Sequence, residues 1–346
     1  MKIDTYNSQK ISILSFVSIV MVVYIHNYYL EAESLTIPKG LQMFGSSITS
    51  VAVPLFYAIS GFLFFSGMHS VRDCFPKIRK RCKNILLPYL IWNIIFVLWY
   101  VVLKFTHGVS QYVNSDMLSG LSITHPLDTF NFLFIKPAGF HLWFLRDLML
   151  FVVFSPFLYV CITRLRWIFF GVLVMATGWM TRFWISSFVF GGTLALCCDN
   201  TLDFFRWKNQ RLACSAILFW LICSIIAGFG WSRLPMDSLG NYVAQIKSII
   251  FIIAVWGGYD LLVKDEFVVP KVLNSVLGYS FFIYLFHEPA LNIIKKLGLS
   301  VLGLGEWQLI VLYLVNPFIM CVFAILVAKL LQKLMPKVYS VLVGGR

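Results

Sequence analysis

Long apolar runs alternate with short polar connections along the whole chain. Windows of about 20 apolar residues, the length at which a helix crosses the hydrocarbon core of a bilayer, recur near 11 to 30, 48 to 68, 84 to 106, 141 to 163, 167 to 181, 183 to 198, 212 to 230, 244 to 263, 276 to 294 and 307 to 331. The pattern predicts an all-α fold, a polytopic transmembrane bundle of about ten spanning helices, with a short pair on either side of Arg182. The longest polar stretch runs from 107 to 140, so residues 1 to 346 are expected to form one membrane domain with no separate soluble domain. The first apolar run is too long for a signal-peptide core and is followed by no small-residue cleavage site, which predicts a retained span.

Composition agrees with this pattern, with 60% of residues hydrophobic and only 12% charged, far from the balance of a soluble domain. The net charge of +13 points to topology rather than to nucleic acid, because the basic residues gather in alternate loops. The strongest cluster is HSVRDCFPKIRKRCK, followed by Arg164 and Arg166, then Arg206, Lys208 and Arg211, and finally Lys329, Lys333, Lys337 and Arg346. The positive-inside rule places these, and both termini, in the cytoplasm, where they meet anionic lipid head groups. Lys295 and Lys296 fall on the opposite side and are exceptions to the rule. Eight cysteines without paired CxxC spacing suggest neither a zinc site nor a disulfide framework. No internal repeat is evident, which argues against a secondary transporter.

The candidate chemistry lies where ionisable residues interrupt apolar runs, since a full charge at a helix centre costs roughly 2.5 to 3.5 kcal/mol. His26 stands in ISILSFVSIVMVVYIHNYY, His141 heads HLWFLRDL beside Arg146 and Asp147, and His287 precedes Glu288 in YSFFIYLFHEPALNII. With the first span running outward, His26 is about 22 Å from its inner end at 1.5 Å per residue. The alternation of spans places His141 and His287 in the outer half too. Ser15, Ser18 and His26 share one helical sector, and Ser280, Tyr284 and His287 follow i, i+4, i+7 spacing, so each set makes a weakly polar stripe suited to lining a path.

A neutral histidine takes a proton from a hydroxyl near pH 7, which makes His26 a candidate general base. Glu288 or Asp147 would fix its tautomer, and Arg146 would hold an anion or a developing oxyanion. Structural readings compete with each of these. An intramembrane histidine is often an interhelical hydrogen-bonding residue, Arg146 and Asp147 make an adjacent ion pair, and His287-Glu288-Pro289 is a polar helix break. His69, His107 and His125 lie in loops and carry no assigned role.

In chain order, five segments resemble the membrane acyltransferase family 3, the integral O-acyltransferases of bacterial envelope glycans. They are VVYIHN at the end of the first span, VAVPLFYAISGFLFF at 51 to 65, KIRKRCKNILLPYLIW at 77 to 92, HLWFLRDL at 141 to 148 and YSFFIYLFHEP at 279 to 289. The resemblance implies an O-acetyltransferase of the bacterial inner membrane. It would use cytoplasmic acetyl-CoA as co-substrate, with no permanently bound cofactor and no metal, and an envelope polysaccharide or lipid-linked sugar as acceptor. It casts His26 as catalytic base, with Arg146, Asp147, His287 and Glu288 in the catalytic region and Phe144 in the same recurrent segment. Lys77, Arg79, Arg81 and Lys83 would hold the CoA phosphates, while Ser15, Ser60, His141 and Tyr284 would line the substrate path. Ser60-Gly61 matches the family's Ser-Gly pair, where a small residue permits close backbone approach.

Two departures stand out. The family carries an arginine 11 residues before the histidine, where this chain has Ser15, with Lys10 more than a turn lower. The family's two arginines separated by two residues are replaced by the cluster Lys77, Arg79, Lys80, Arg81 and Lys83. A glycan or lipid-linked-sugar transporter without acyl chemistry, and an inactive relative serving as scaffold, are the alternative functions.

Overall fold

The computed structural model describes residues 4–105, 130, 134–177, 184–198, 210–229, 238–264 and 267–345, and every regular element among them is helical. His107, His125, Arg182, Arg206, Lys208 and Arg346 lie outside the described residues. Among the described residues, six helical runs are long and apolar enough to cross a membrane, or seven with residues 140–165 counted as one span. The expectation of about ten thus covers elements that an apolar window cannot tell apart. Residues 141 to 163 divide at Phe154 into α6 (Trp143–Val153) and α7 (Ser155–Leu165). Windows 167 to 181 and 183 to 198 hold only the short helices α8 (Trp167–Thr177) and α9 (Ile185–Cys197). Apolar stripes are exposed on α10 (Gln210–Gly228) at Leu218, Ile222 and Ile225, and on α14 (Glu306–Leu334) at Phe318, Val322 and Leu326. A water-facing surface would not be built this way, whereas a lipid-facing one requires it.

The described chain divides into two compact units, one formed by Met1–Val71 with Pro156–Leu326, the other by Arg72–Ser155 with Val327–Arg346. In the first, α1 (Thr5–His26) starts where the Asp4 carboxylate accepts the Asn7 backbone N–H at 2.7 Å, satisfying one of the free amides of the first turn. One turn on, Lys10 is fully buried and its ammonium meets Asp260 of α11 (Ser238–Leu262) at 2.6 Å. Tyr6 donates to the same carboxylate at 2.7 Å, and the Lys10 ammonium lies 4.2 Å from the centre of the Trp256 ring. Around this polar knot, Leu14, Leu55, Phe62, Leu194, Phe251 and Trp256 form an apolar core shared by α1, α3 (Ala52–Phe65), α9 and α11.

Contact of α3 with α9 depends on glycine. A Cβ at Gly61 would stand 2.0 Å from the Phe188 carbonyl oxygen, and one at Gly191 would stand 1.9 Å from that of Ala58. The two backbones therefore touch directly, as the Ser-Gly pair suggests, and packing gained at that distance substitutes for the hydrophobic drive that lipid does not supply. Gly61→Val is expected to destabilise the protein by about 1–3 kcal/mol or more through overpacking. The thermal midpoint of purified protein in detergent measures it, and an unchanged midpoint would refute the contact. Gly40 of α2 (Thr36–Thr49) and Gly228 of α10 make a similar approach, with a Cβ at Gly40 placed 2.9 Å from the Gly228 carbonyl oxygen.

Past the short α12 (Lys271–Leu277), proline shapes two long helices of this unit. In α13 (Ser280–Leu302), Pro289 has no N–H to give the carbonyl of residue 285, and Glu288 before it is extended, at φ −105° and ψ 134°. In α14, Pro317 likewise leaves the Tyr313 carbonyl without its helical donor.

In the second unit, α4 (Cys74–Arg81) runs through a wider helical turn at Cys82–Leu86 into α5 (Leu87–Phe105). Asn93 accepts from the Ala138 backbone N–H at 2.7 Å, and the Trp92 indole donates to the Leu342 carbonyl, fastening α15 (Pro336–Leu342) to α5. Gly344, at φ +71°, follows that helix in the left-handed region, and a Cβ there would meet Asn84 backbone at 2.4 Å.

Candidate active site

His26 is the last residue of α1, and two prolines determine what surrounds it. The Tyr313 carbonyl left free by Pro317 accepts from the Asn27 side chain at 2.8 Å, with Leu312 as a second acceptor at 3.3 Å, and Tyr24 donates to Leu314 at 2.8 Å. The end of α1 is thus tied to the interrupted stretch of α14, because side chains there replace a bond the backbone cannot make. Beyond it, Tyr29 is buried, its N–H donates to Gln42 at 2.6 Å, and its hydroxyl accepts from Asn316.

The half-buried His26 ring faces that of His287, with centroids 5.2 Å apart and planes inclined by 35°. His287 is fully buried, and its Nδ1 lies 2.6 Å from the Tyr284 carbonyl oxygen. A carbonyl only accepts, so Nδ1 carries the proton and, in the neutral ring, Nε2 carries the lone pair. Tyr284 itself is buried, with its ring 6.0 Å from that of His287. Glu288 is buried at the helix break and accepts from Asn292 at 2.6 Å. Lys295 lies two turns further along α13, donates to the Tyr28 carbonyl, and interacts electrostatically with both His26 and Glu288.

The first unit therefore brings together His26, His287, Glu288 and Tyr284 of the residues expected from sequence. Ser15 is half-buried on α1 and Ser60 half-buried on α3. Lys10, the cation nearest along α1 to the position where the family has arginine, is paired with Asp260.

His141, Arg146 and Asp147 belong to the second unit. His141 is buried, with ring centroids of Phe96 at 5.2 Å and Phe140 at 5.9 Å, both edge-on. Arg146 pairs with Asp147 through Nη2 at 2.7 Å and Nε at 2.8 Å, and also donates to the Ile135 carbonyl. The two side chains thus form the adjacent ion pair, through Nε and Nη2 of the guanidinium. The basic cluster on α4 divides by exposure. Lys77 and Arg81, one turn apart, are half-buried on one face, while Arg79, Lys80 and Lys83 are exposed.

Sequence reasoning missed Asn27, Asn292 and Lys295. The spacing of Glu288, Asn292 and Lys295, which puts a polar face on the second half of α13, was the available signal.

No solved structure matches the chain. The succinoglycan biosynthesis protein ExoH of Rhizobium meliloti (strain 1021) is 27% identical to it over 362 residues, covering 99% of this chain and 94% of that protein. The family described as "Acyltransferase domain" matches residues 10–332, nearly the whole chain and all three histidine-bearing segments. With multiple apolar spans and a histidine pair at the end of the first, this chain is a multi-pass membrane protein that belongs to the membrane acyltransferase family 3.

Proposed function

We propose that the protein is an O-acetyltransferase of the bacterial inner membrane, moving an acetyl group from cytoplasmic acetyl-CoA to a hydroxyl of an envelope polysaccharide or its lipid-linked precursor. The observation that carries this reading is the His26–His287 ring pair at 5.2 Å, in a chain that belongs to an acyltransferase family. The relative's role in succinoglycan biosynthesis supports a saccharide acceptor.

In this mechanism His26 takes the proton of the acceptor hydroxyl as its oxygen attacks the thioester carbon. The tetrahedral intermediate collapses with loss of the C–S bond, and the imidazolium returns the proton to the departing thiolate of CoA. The sugar leaves as an acetyl ester, and the histidine is neutral again. His287, with its proton on Nδ1 held by Tyr284, supports the His26 ring in a defined orientation. Lys77 and Arg81, with Arg79 and Lys83, hold the CoA phosphates as charge-assisted partners.

Comparison of envelope glycans from strains with and without the gene tests the function. Loss of a base-labile acetyl ester by NMR is the expected result, whereas an unchanged ester content with altered glycan export would favour a transporter. Replacing Lys77 and Arg81 together with alanine is expected to raise the KM for acetyl-CoA by about 10- to 100-fold, the scale of one to two charged hydrogen bonds, with kcat little changed. Steady-state assays in membranes measure this, and an unchanged KM would remove the cluster from donor binding.

A further inference from the structure

Lys295 stands apart from the basic residues that set topology, and its surroundings give it a different role. The ammonium donates to the carbonyl of Tyr28, two residues past His26, and lies 5.1 Å from the centre of the Tyr29 ring. It also interacts with the carboxylates of Glu288 and Glu31. A half-buried cation with this set of neighbours is tied to a single place on α13 and joined to a single place on the chain leaving α1.

The reason such a tie is needed lies in the break of α13. Extended Glu288 and the missing N–H of Pro289 interrupt the helical ladder between the half that carries His287 and the half that carries Lys295. Backbone bonds alone therefore do not fix the two halves against each other. A closed circuit through α1 does so instead. The first half meets α1 at His287–His26, α1 continues through Asn27 to Tyr28, and Tyr28 is held by Lys295 of the second half. Asn292 adds a tie across the break by donating to Glu288 at 2.6 Å. Tyr29 is locked by Gln42 and Asn316, so the segment that Lys295 grips is itself immobilised by α2 and α14.

We propose that Lys295 is a positioning residue for acyl transfer, clamping the backbone just past His26 to the broken helix and so setting His26 against His287. This inference rests on the reading of His26 as the base. A misplacement of reacting groups by about 1 Å costs on the order of a hundredfold in rate, so even partial release of the clamp is measurable in kcat.

The test uses full-length protein in membranes, labelled acetyl-CoA, and de-esterified polysaccharide from a strain lacking the gene. Lys295→Met, which keeps the length and removes the charge, is expected to lower kcat about tenfold or more with the KM for acetyl-CoA within twofold of wild type. Lys295→Arg, which still donates to the Tyr28 carbonyl, is expected to recover most of the rate. A methionine variant with wild-type kcat overturns the proposal, as does an arginine variant that accumulates normally yet recovers nothing. If Lys295→Met does not accumulate, Lys295→Gln takes its place. Failure of both assigns Lys295 to the fold as a whole and also overturns the proposal. His26→Ala run alongside separates the two ideas. An active His26→Ala, or wild type inactive with acetyl-CoA, defeats the proposed function, whereas a dead His26→Ala beside a fully active Lys295→Met defeats only the clamp.

Discussion

His26→Ala is expected to lower acetyl transfer by about 10²- to 10⁴-fold, the range by which a positioned general base accelerates proton transfer. The protein should still accumulate in the membrane, for a structural reason. His26 closes α1 as its final residue, and that end is held by other groups, namely Asn27 on the Tyr313 carbonyl and Tyr24 on that of Leu314. Removing a half-buried ring there leaves those ties in place. The KM for acetyl-CoA should change little, because a group that acts only as the hydroxyl loses its proton contributes to the transition state and not to donor binding. Ester content of the envelope glycan by NMR, normalised to the amount of protein in the membrane, measures the effect. Retained esters at normal levels would take the base role away from His26. Asn27→Ala provides the structural counterpart. It releases the tie to α14, so it should lower both accumulation and activity, a pattern that loss of a base alone does not produce.

What the sequence disclosed and what it concealed follow from the range of the interactions concerned. Helices α1 and α14 were legible because apolar runs of spanning length leave few alternatives. The approach at Gly61 was anticipated through the resemblance, whose Ser-Gly pair marks a place where a small residue lets backbones come close. The windows read as α8 and α9 hold, among the described residues, helices shorter than a span, since a hydrophobic window reports composition and not helix length. Similar depth in separate spans put three histidines at one level, and the rings of His26 and His287 lie 5.2 Å apart. His141 is packed between Phe96 and Phe140 in the other compact unit, a placement that depth alone does not specify. The bond from Asn27 to the carbonyl exposed by Pro317 spans almost the entire chain, and nothing local to either residue signals the other. Lys295 was passed over for a different reason. Counting charges by loop treated it as a topological exception, when its side chain serves the turn after His26.

Asp260→Ala is expected to destabilise the protein by roughly 3–5 kcal/mol, the scale for stripping one partner from a buried ion pair. Lys10 has no exposure to solvent, and Asp260 meets its ammonium at 2.6 Å while also accepting from Tyr6 at 2.7 Å. Without the carboxylate, the Trp256 ring at 4.2 Å is left as a weak substitute, because a cation–π contact recovers only about 2 kcal/mol even when desolvated. The tyrosine hydroxyl also loses its acceptor. Lys10→Met alone strands the carboxylate instead and should be damaging for the same reason. The double variant Lys10→Met with Asp260→Leu removes both charges, so it should regain most of the loss, and the non-additivity is the signature of the pair. Thermal midpoints in detergent give the four corners of this cycle, and an Asp260→Ala protein as stable as wild type would show that the pair contributes nothing to the fold. The same double variant addresses the missing family arginine. Lys10 is the cation nearest to Ser15 along α1, yet its ammonium is paired with Asp260 and packed over the Trp256 ring within the fold. A stable double variant is therefore expected to keep its KM for acetyl-CoA, and a KM raised tenfold would instead return Lys10 to the donor site in place of that arginine.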